Sequence, residues 1–203
     1  MLDSRLRPLI DPPLNRIGAW LARCGVRADW VTGFGLVLGL GAALAIWAGM
    51  WLAALVLVLA SRLADGLDGA VARATGITDF GGYFDIVADF TFYAAIPLAF
   101  VLADPAANGA AGAFVLASFY INAASFLGFA ILAEKARMHS DAQGRKSVYF
   151  SSGLLEGTET IVFFVALCLF PAVFAPLALI FGALCLLTAA LRLGAAVRLF
   201  RPR

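Results

Sequence analysis

Charged residues are scarce in this sequence. Of its 203 residues, 14% are charged and 63% are hydrophobic, and the mean hydropathy is +0.93. Soluble domains are about a quarter charged and about half apolar. The composition therefore excludes an ordinary soluble protein and predicts an integral membrane protein. The length indicates one membrane domain over residues 1–203.

Cysteine and histidine are also rare. The three cysteines, Cys24, Cys168 and Cys185, share no short spacing, so no metal site of the CxxC kind is expected. The single histidine, His139, lies in a polar stretch and is interpreted as a solvated loop residue. Residues 1–30 contain no uninterrupted apolar segment, so no cleavable signal peptide is expected.

Long apolar runs dominate the rest of the chain. A helix needs about 20 apolar residues to span a bilayer. The sequence contains six such runs, at 31–50, 51–73, 80–102, 110–133, 154–174 and 175–200. Gly and Pro lie between several of them, where helices should stop. The predicted fold is all-α, a polytopic membrane protein whose residues 31–200 form a bundle of six transmembrane helices.

Residues 1–29 precede the first span and have a different composition. They mix Leu, Ile and Trp with five Arg, and positions 14–22 are amphipathic at helical spacing. This pattern is typical of a helix that lies on the membrane surface. We expect an N-terminal amphipathic interfacial helix, and a frayed tail is the alternative.

The basic residues indicate the orientation of the predicted bundle. All fifteen fall towards one side of the six spans, and the three opposite connections contain no Lys or Arg. Because cytoplasmic loops carry an excess of Lys and Arg, this side is predicted to face the cytoplasm. Both termini lie on the same side.

Four aspartates interrupt the apolar pattern where the second span ends and the third begins. Asp65 and Asp68 are three residues apart, and Asp85 and Asp89 are four apart, so each pair shares a helix face. A short turn joins the two helices, so the four carboxylates should converge at the cytoplasmic end of the membrane. Converging anions there are costly unless a cation neutralises them. Carboxylate oxygens select hard cations such as Mg²⁺, Mn²⁺ or Ca²⁺.

Gly66 and Gly69 lie beside the first pair of aspartates. Glycine disfavours a helix by about 1 kcal/mol per residue, so its presence here needs a reason. We expect that the missing side chains let a bulky ligand approach the backbone. Close helix packing through small residues also explains the glycines, but it does not explain the four aspartates.

The same stretch carries a longer pattern. Asp65-x2-Asp68-Gly69-x2-Ala72-Arg73 is followed by Gly81-x3-Asp85-x3-Asp89. It resembles the signature of the CDP-alcohol phosphatidyltransferase family. One departure is visible, because seven residues rather than the usual eight separate Arg73 from Gly81. The missing residue falls in the turn between helices, where length is tolerated best. The sequence is most similar to uncharacterised bacterial inner-membrane members, which implies the bacterial inner (cytoplasmic) membrane.

The resemblance implies a reaction in phospholipid biosynthesis. An alcohol hydroxyl attacks the β-phosphorus of a CDP-linked lipid donor, favoured as CDP-diacylglycerol, and CMP leaves. Two cations, Mg²⁺ or Mn²⁺, would be held by Asp65, Asp68, Asp85 and Asp89. These cations would neutralise the diphosphate. Asp89 would also be the general base. The implied nucleotide and diphosphate contacts are Thr32, Gly69, Ala72 and Arg73.

The acceptor alcohol is predicted only by class. The candidate contacts are polar residues of the 134–146 loop and of the helix ends near it: Arg137, Arg145, Lys146, Glu156, Glu159 and Arg192. Basic residues outnumber acids in this region, which favours a phosphorylated acceptor such as glycerol 3-phosphate. If the two glutamates are not paired with basic residues, a neutral polyol or an amino-alcohol is the alternative.

A divalent-cation transporter is the alternative class of protein, since it also places carboxylates in its spans. A transporter needs acids along a path across the membrane, yet Asp104 is the only acid on the far side. Arg73 would repel a permeating cation but suits a diphosphate.

The predicted partners of the enzyme are a CDP-linked lipid donor, an alcohol acceptor and membrane lipid, without nucleic acid. A homodimer is left open.

Overall fold

The computed structural model describes residues 3–136, 155 and 157–200, with side chains from Pro8 onward. These residues are helical apart from short connections, and they include no strand. The helices are α1 (Asp3–Arg23), α2 (Ala28–Trp47), α3 (Trp51–Thr75), α4 (Asp79–Ala103), α5 (Pro105–Lys135), α6 (Gly157–Leu169) and α7 (Phe174–Phe200), with a 3₁₀ turn at Pro171–Val173 before α7. The all-α prediction is confirmed.

Turn chemistry explains where several helices start and stop. Gly25, Gly49 and Gly76 follow α1, α2 and α3 and have positive φ angles of 80°, 71° and 112°, which glycine adopts without strain. At the start of α4 the Thr78 hydroxyl accepts a hydrogen bond from the Gly81 N–H at 3.0 Å. This cap marks the point where the chain turns back between the two aspartate-bearing helices.

Among the described residues, four segments are long and apolar enough to cross a membrane: α2, α4, α5 and Pro171–Phe200, which contains α7. The two remaining predicted spans differ from them. Helix α3 is 25 residues long, but charged side chains such as Arg62, Asp65 and Asp68 occupy its second half. Helix α6 has 13 described residues. The count of six spans therefore stays a prediction.

Helix α1 docks on α3, the helix that carries the first pair of aspartates. The two helices approach closely at Gly18, where an added Cβ would lie 2.6 Å from the Ala70 Cβ and 2.7 Å from the Ala70 carbonyl carbon. Trp20 of α1 stays 56% exposed. The segment is thus helical and packed against the bundle, while its location at the membrane surface stays a prediction.

The core holds α4 in place behind its aspartates. Phe92, Ile96 and Phe100 of α4 are fully buried or nearly so, and the Phe92 ring meets the Phe164 ring of α6 edge-on at 5.5 Å between centroids. An added Cβ at Gly39 of α2 would lie 2.6 Å from the Phe92 ring. The small residue lets α2 approach α4 closely. This packing holds α4, the helix that carries Asp85 and Asp89, rigidly in place.

Candidate active site

Three of the predicted aspartates converge between α3 and α4. One carboxylate oxygen each from Asp65, Asp68 and Asp85 lie within 4.8 Å of one another. Asp68 is buried, with 6% exposure, and the other two are half-buried. The spacing of three residues on α3 and the tight turn to α4 bring them together, as the sequence predicts. Anions this close repel one another unless a cation lies between them.

The donor set fits a hard divalent cation. All three groups are carboxylates, the ligand type that Mg²⁺ and Mn²⁺ prefer. Oxygens on opposite sides of a bound Mg²⁺ lie about 4 Å apart, twice the usual metal–oxygen distance. Because the three oxygens already lie within 4.8 Å of one another, small side-chain rotations bring them to coordinating distance.

Thr32 orients the most buried of these carboxylates. It lies in the second turn of α2, is 6% exposed, and donates a hydrogen bond from Oγ1 to the Asp68 Oδ2 at 2.7 Å. The sequence predicts Thr32 as a nucleotide contact. The structure adds a contact that the pattern does not show, in which α2 holds one of the candidate ligands in its orientation.

Asp89 shares a basic partner, Arg62, with Asp65. Its Oδ1 accepts a hydrogen bond from the Arg62 Nη1 at 2.7 Å, and the same Arg62 nitrogen lies 3.4 Å from the Asp65 Oδ1. The sequence prediction missed Arg62 as a site residue. The signal was present, because Arg62 precedes Asp65 by three residues and so shares its helix face.

The two motif glycines have different surroundings. An added Cβ at Gly66 would lie 2.9 Å from the Leu14 Cδ1 of α1. Gly66 therefore accommodates a helix of the same chain, and the expectation that a ligand occupies this space is wrong for Gly66. At Gly69 an added Cβ would lie 3.3 Å from the Arg73 Nη1, so this glycine makes room for a guanidinium.

Arg73 is exposed at the end of α3 and is held by α1. Its Nε and Nη2 donate to the Asn15 Oδ1 at 3.1 and 2.8 Å. The side chain folds back along α3 over Gly69, the residue that directly follows Asp68. A guanidinium in this place suits a phosphate group bound near the carboxylates. Ala72 is half-buried on the same helix.

Comparison with known proteins decides the family. Residues 26–194 match the sequence profile of the family described as CDP-alcohol phosphatidyltransferase. The chain belongs to this family. The match contains both halves of the aspartate pattern together with Thr32 and Arg192.

Relatives of this CDP-alcohol phosphatidyltransferase are both bacterial and archaeal. The chain is 47% identical over 188 residues to the inner membrane protein YnjF of Escherichia coli (strain K12), covering 93% of this chain and 91% of that protein. It is 36% identical over 87 residues to the archaetidylinositol phosphate synthase of Pyrococcus horikoshii, covering 42% of this chain and 46% of that protein.

A solved structure has the same fold. It is the crystal structure of Mycobacterium tuberculosis phosphatidylinositol phosphate synthase (PgsA1) with CDP-DAG bound, at a TM-score of 0.71 and 21% identity, covering 91% of this chain and 93% of that one. With the family match, this confirms the predicted class: the protein is a membrane phosphotransferase of phospholipid synthesis. Its apolar helices and its similarity to YnjF indicate a multi-pass bacterial inner-membrane protein.

The predicted acceptor contacts are only partly within the described residues. Arg137, Arg145, Lys146 and Glu156 lie outside them, as does His139. Glu159 is half-buried in the first turn of α6. Arg192 of α7 is 7% exposed and donates from Nη1 to the Asn122 Oδ1 at 3.0 Å and to the Ser125 Oγ at 2.6 Å, which ties α7 to α5.

Proposed function

We propose that this family member transfers the phosphatidyl group from CDP-diacylglycerol to an alcohol and releases CMP. The observation that carries the proposal is the convergence of three carboxylates, two from α3 and one from α4, with the Arg73 guanidinium at the end of α3. Carboxylates can bind a cation that a diphosphate also needs, and the guanidinium can bind the diphosphate directly. The fold is also that of a protein crystallised with CDP-DAG bound.

Asp65, Asp68 and Asp85 would hold Mg²⁺ or Mn²⁺. When bound, the ion neutralises charge on the diphosphate and on the departing phosphate. Asp89 would accept the proton of the acceptor hydroxyl as its oxygen attacks the β-phosphorus. A new phosphorus–oxygen bond forms to the acceptor, and the bond between this phosphorus and the bridging oxygen of CMP breaks. CMP leaves with the bridging oxygen, and a phosphodiester remains.

The donor side is built on α2 and α3. Arg73, positioned by Asn15 and by the space at Gly69, would contact the diphosphate. Gly69 and Ala72 would let the nucleotide lie along α3, and Thr32 would keep Asp68 turned towards the cation. The role of α1 is then to present Arg73, because Asn15 belongs to α1.

The acceptor side is proposed to recognise a phosphorylated alcohol such as glycerol 3-phosphate. Support comes from the excess of basic over acidic residues among the candidates, and Arg192 adds a cation fixed between α5 and α7. A neutral polyol or an amino-alcohol is the second candidate, favoured by the acidic residues Glu156 and Glu159, three positions apart in the sequence.

A panel of acceptors tests this function. Purified protein with CDP-diacylglycerol and a divalent cation should release CMP with a phosphorylated alcohol and much less with neutral polyols or amino-alcohols. The Arg145→Gln/Lys146→Gln double variant should raise the acceptor KM by about tenfold or more, the scale of lost charge-assisted hydrogen bonds, and leave the donor KM nearly unchanged.

Arg198→Gln is the matched control for this experiment. Arg198 is an exposed cation near the end of α7 and is not one of the candidate acceptor contacts, so its loss lowers the net charge without removing a candidate contact. An unchanged acceptor KM in the double variant, together with loss of neutral or cationic alcohol use in Glu156→Gln, would decide for the second candidate.

The proposed orientation places the active site and both termini in the cytoplasm. In a background lacking Cys24, Cys168 and Cys185, a cysteine replacing Ala107 should react with an impermeant thiol reagent in intact cells. A cysteine replacing Ala142 should react only after the membrane is permeabilised. The physical reason is the absence of Lys and Arg from the connection that contains Ala107. The reverse labelling pattern would overturn this orientation.

A further inference from the structure

Arg62 of α3 lies at the candidate active site but has no role in the proposed mechanism. Its Nη1 donates to the Asp89 Oδ1 of α4 at 2.7 Å and lies 3.4 Å from the Asp65 Oδ1 of α3. Asp89 also interacts directly with Asp65. The four motif aspartates therefore fit the cation centre that the family resemblance implies, and Arg62 contacts one of them on each of the two helices.

Contacts on several sides fix the Arg62 guanidinium in one place. Its side chain is 8% exposed, and its guanidinium carbon lies 4.0 Å from the centre of the Phe92 ring on α4. A cation held over a ring face is attracted by the ring as well as by the acids. Nη2 donates to the Ser61 Oγ at 3.2 Å, and Ser61 donates to the backbone carbonyl of Gly35 on α2 at 2.8 Å. Residues of α2, α3 and α4 thus combine to orient this one side chain.

Burying this guanidinium is costly, and stability alone does not explain it. The Arg62 Nε is buried without a hydrogen-bond partner among the described residues. Buried ion pairs are often no more stabilising than apolar side chains of similar volume, and an unsatisfied donor adds a further penalty. A charged residue kept under these conditions points to a function at the site.

Two functions are open to a fixed positive charge here, and they have opposite effects on divalent-cation binding. A simple counter-charge repels a divalent cation, so its removal would strengthen binding. A positioning residue holds the ligands in place, so its removal would weaken binding. The contacts favour positioning, because a counter-charge needs only proximity, whereas Arg62 makes a 2.7 Å hydrogen bond and packs on a ring face. They also use only Oδ1 of Asp65 and Asp89, which leaves the second oxygen of each carboxylate for a cation.

We propose that Arg62 is a positioning residue of the cation centre. It holds one oxygen of Asp65 from α3 and one of Asp89 from α4, and so fixes the orientation in which both carboxylates serve as ligands. Loss of such a hydrogen bond to a ligating carboxylate typically lowers metal affinity by about 10- to 100-fold. The inference rests on the proposed function, since it concerns the cations of the same site.

Titrating the purified full chain with Mn²⁺ tests the proposal without any activity assay. Electron paramagnetic resonance of unbound Mn²⁺ gives the affinity, and a melting temperature shows that each variant is folded. Arg62→Gln should weaken Mn²⁺ binding by about tenfold or more, because Asp65 and Asp89 lose their common partner. Arg73→Gln is the matched control, since it removes the same charge from the same helix and Arg73 donates to Asn15. It should not weaken binding.

A neutral pair of variants covers the case in which Arg62→Gln fails to fold. Ser61→Ala removes the acceptor of the Arg62 Nη2 without changing any charge. It should weaken Mn²⁺ binding by about threefold, the scale of one lost hydrogen bond. Ser118→Ala is its control, because Ser118 is also a buried serine but its hydroxyl donates to carbonyls of its own helix, α5. It should leave the affinity unchanged.

The outcomes separate the role of Arg62 from the proposed function. Unchanged or stronger Mn²⁺ binding in folded Arg62→Gln, or equal weakening in Arg73→Gln, would overturn the role of Arg62 and leave the proposed function standing. Equal affinities in Ser61→Ala and Ser118→Ala would do the same where Arg62→Gln does not fold. A wild type without tight Mn²⁺ binding would overturn the proposed function along with the inference.

Discussion

Replacing any one of the four motif aspartates by asparagine should lower turnover by at least about a hundredfold, the usual scale for a lost catalytic group. The variants are Asp65→Asn, Asp68→Asn, Asp85→Asn and Asp89→Asn. Asparagine keeps the shape of the side chain but removes its negative charge, so three of the changes remove a ligand charge from the cation cluster. The fourth removes the proposed general base. The measurement is CMP release from CDP-diacylglycerol at saturating acceptor.

The structure indicates that these four variants should still fold. Each single change relieves repulsion among the carboxylates and leaves the buried Arg62 at least one of its two acidic partners, Asp65 or Asp89, so the proteins should insert and purify like the wild type. Asp79→Asn is the matched control, because Asp79 is an exposed acid in the first turn of α4, six residues before Asp85. It should keep nearly normal turnover. Near-normal turnover in two of the four motif variants would refute the site.

Removing divalent cations should abolish the activity of the wild-type enzyme. Excess EDTA should lower CMP release by about a hundredfold or more, because the carboxylate cluster would then repel the anionic diphosphate instead of binding it through a cation. Adding Mg²⁺ or Mn²⁺ in excess of the chelator should restore the rate. Melting temperatures measured with and without EDTA would separate loss of the cation from loss of the fold. CMP release that continues unchanged in EDTA would contradict the proposed mechanism.

Sequence spacing predicted that four carboxylates converge, and three of them form the cluster. Asp65 and Asp68 share one face of α3, and a turn capped by Thr78 brings α4 back alongside it, so local geometry is enough to place Asp85 nearby. The contact between Thr32 and Asp68 joins residues 36 positions apart. The resemblance named Thr32 as a site residue, but the partner of its hydroxyl depends on how α2 packs against α3.

The surroundings of Gly66 show where the sequence prediction went wrong. The pattern indicates only that a side chain is missing, and both a ligand and a neighbouring helix can use the space. The structure places Leu14 of α1 there, 2.9 Å from where a Cβ would lie. An amphipathic helix has no unique docking site in its own sequence, because its apolar face is compatible with lipid as well as with protein.

By itself, the sequence determined that the protein is a helical membrane protein and that Asp65, Asp68 and Asp85 converge, and it predicted Asp89 to lie with them. These follow from hydropathy and from helical periodicity, which act over a few residues along the chain. Only the tertiary structure decided that α1 covers Gly66 and that Arg62 engages Asp89, 27 positions away in the sequence. Such pairings depend on the rotation of each helix about its axis, which the packing of the whole bundle sets.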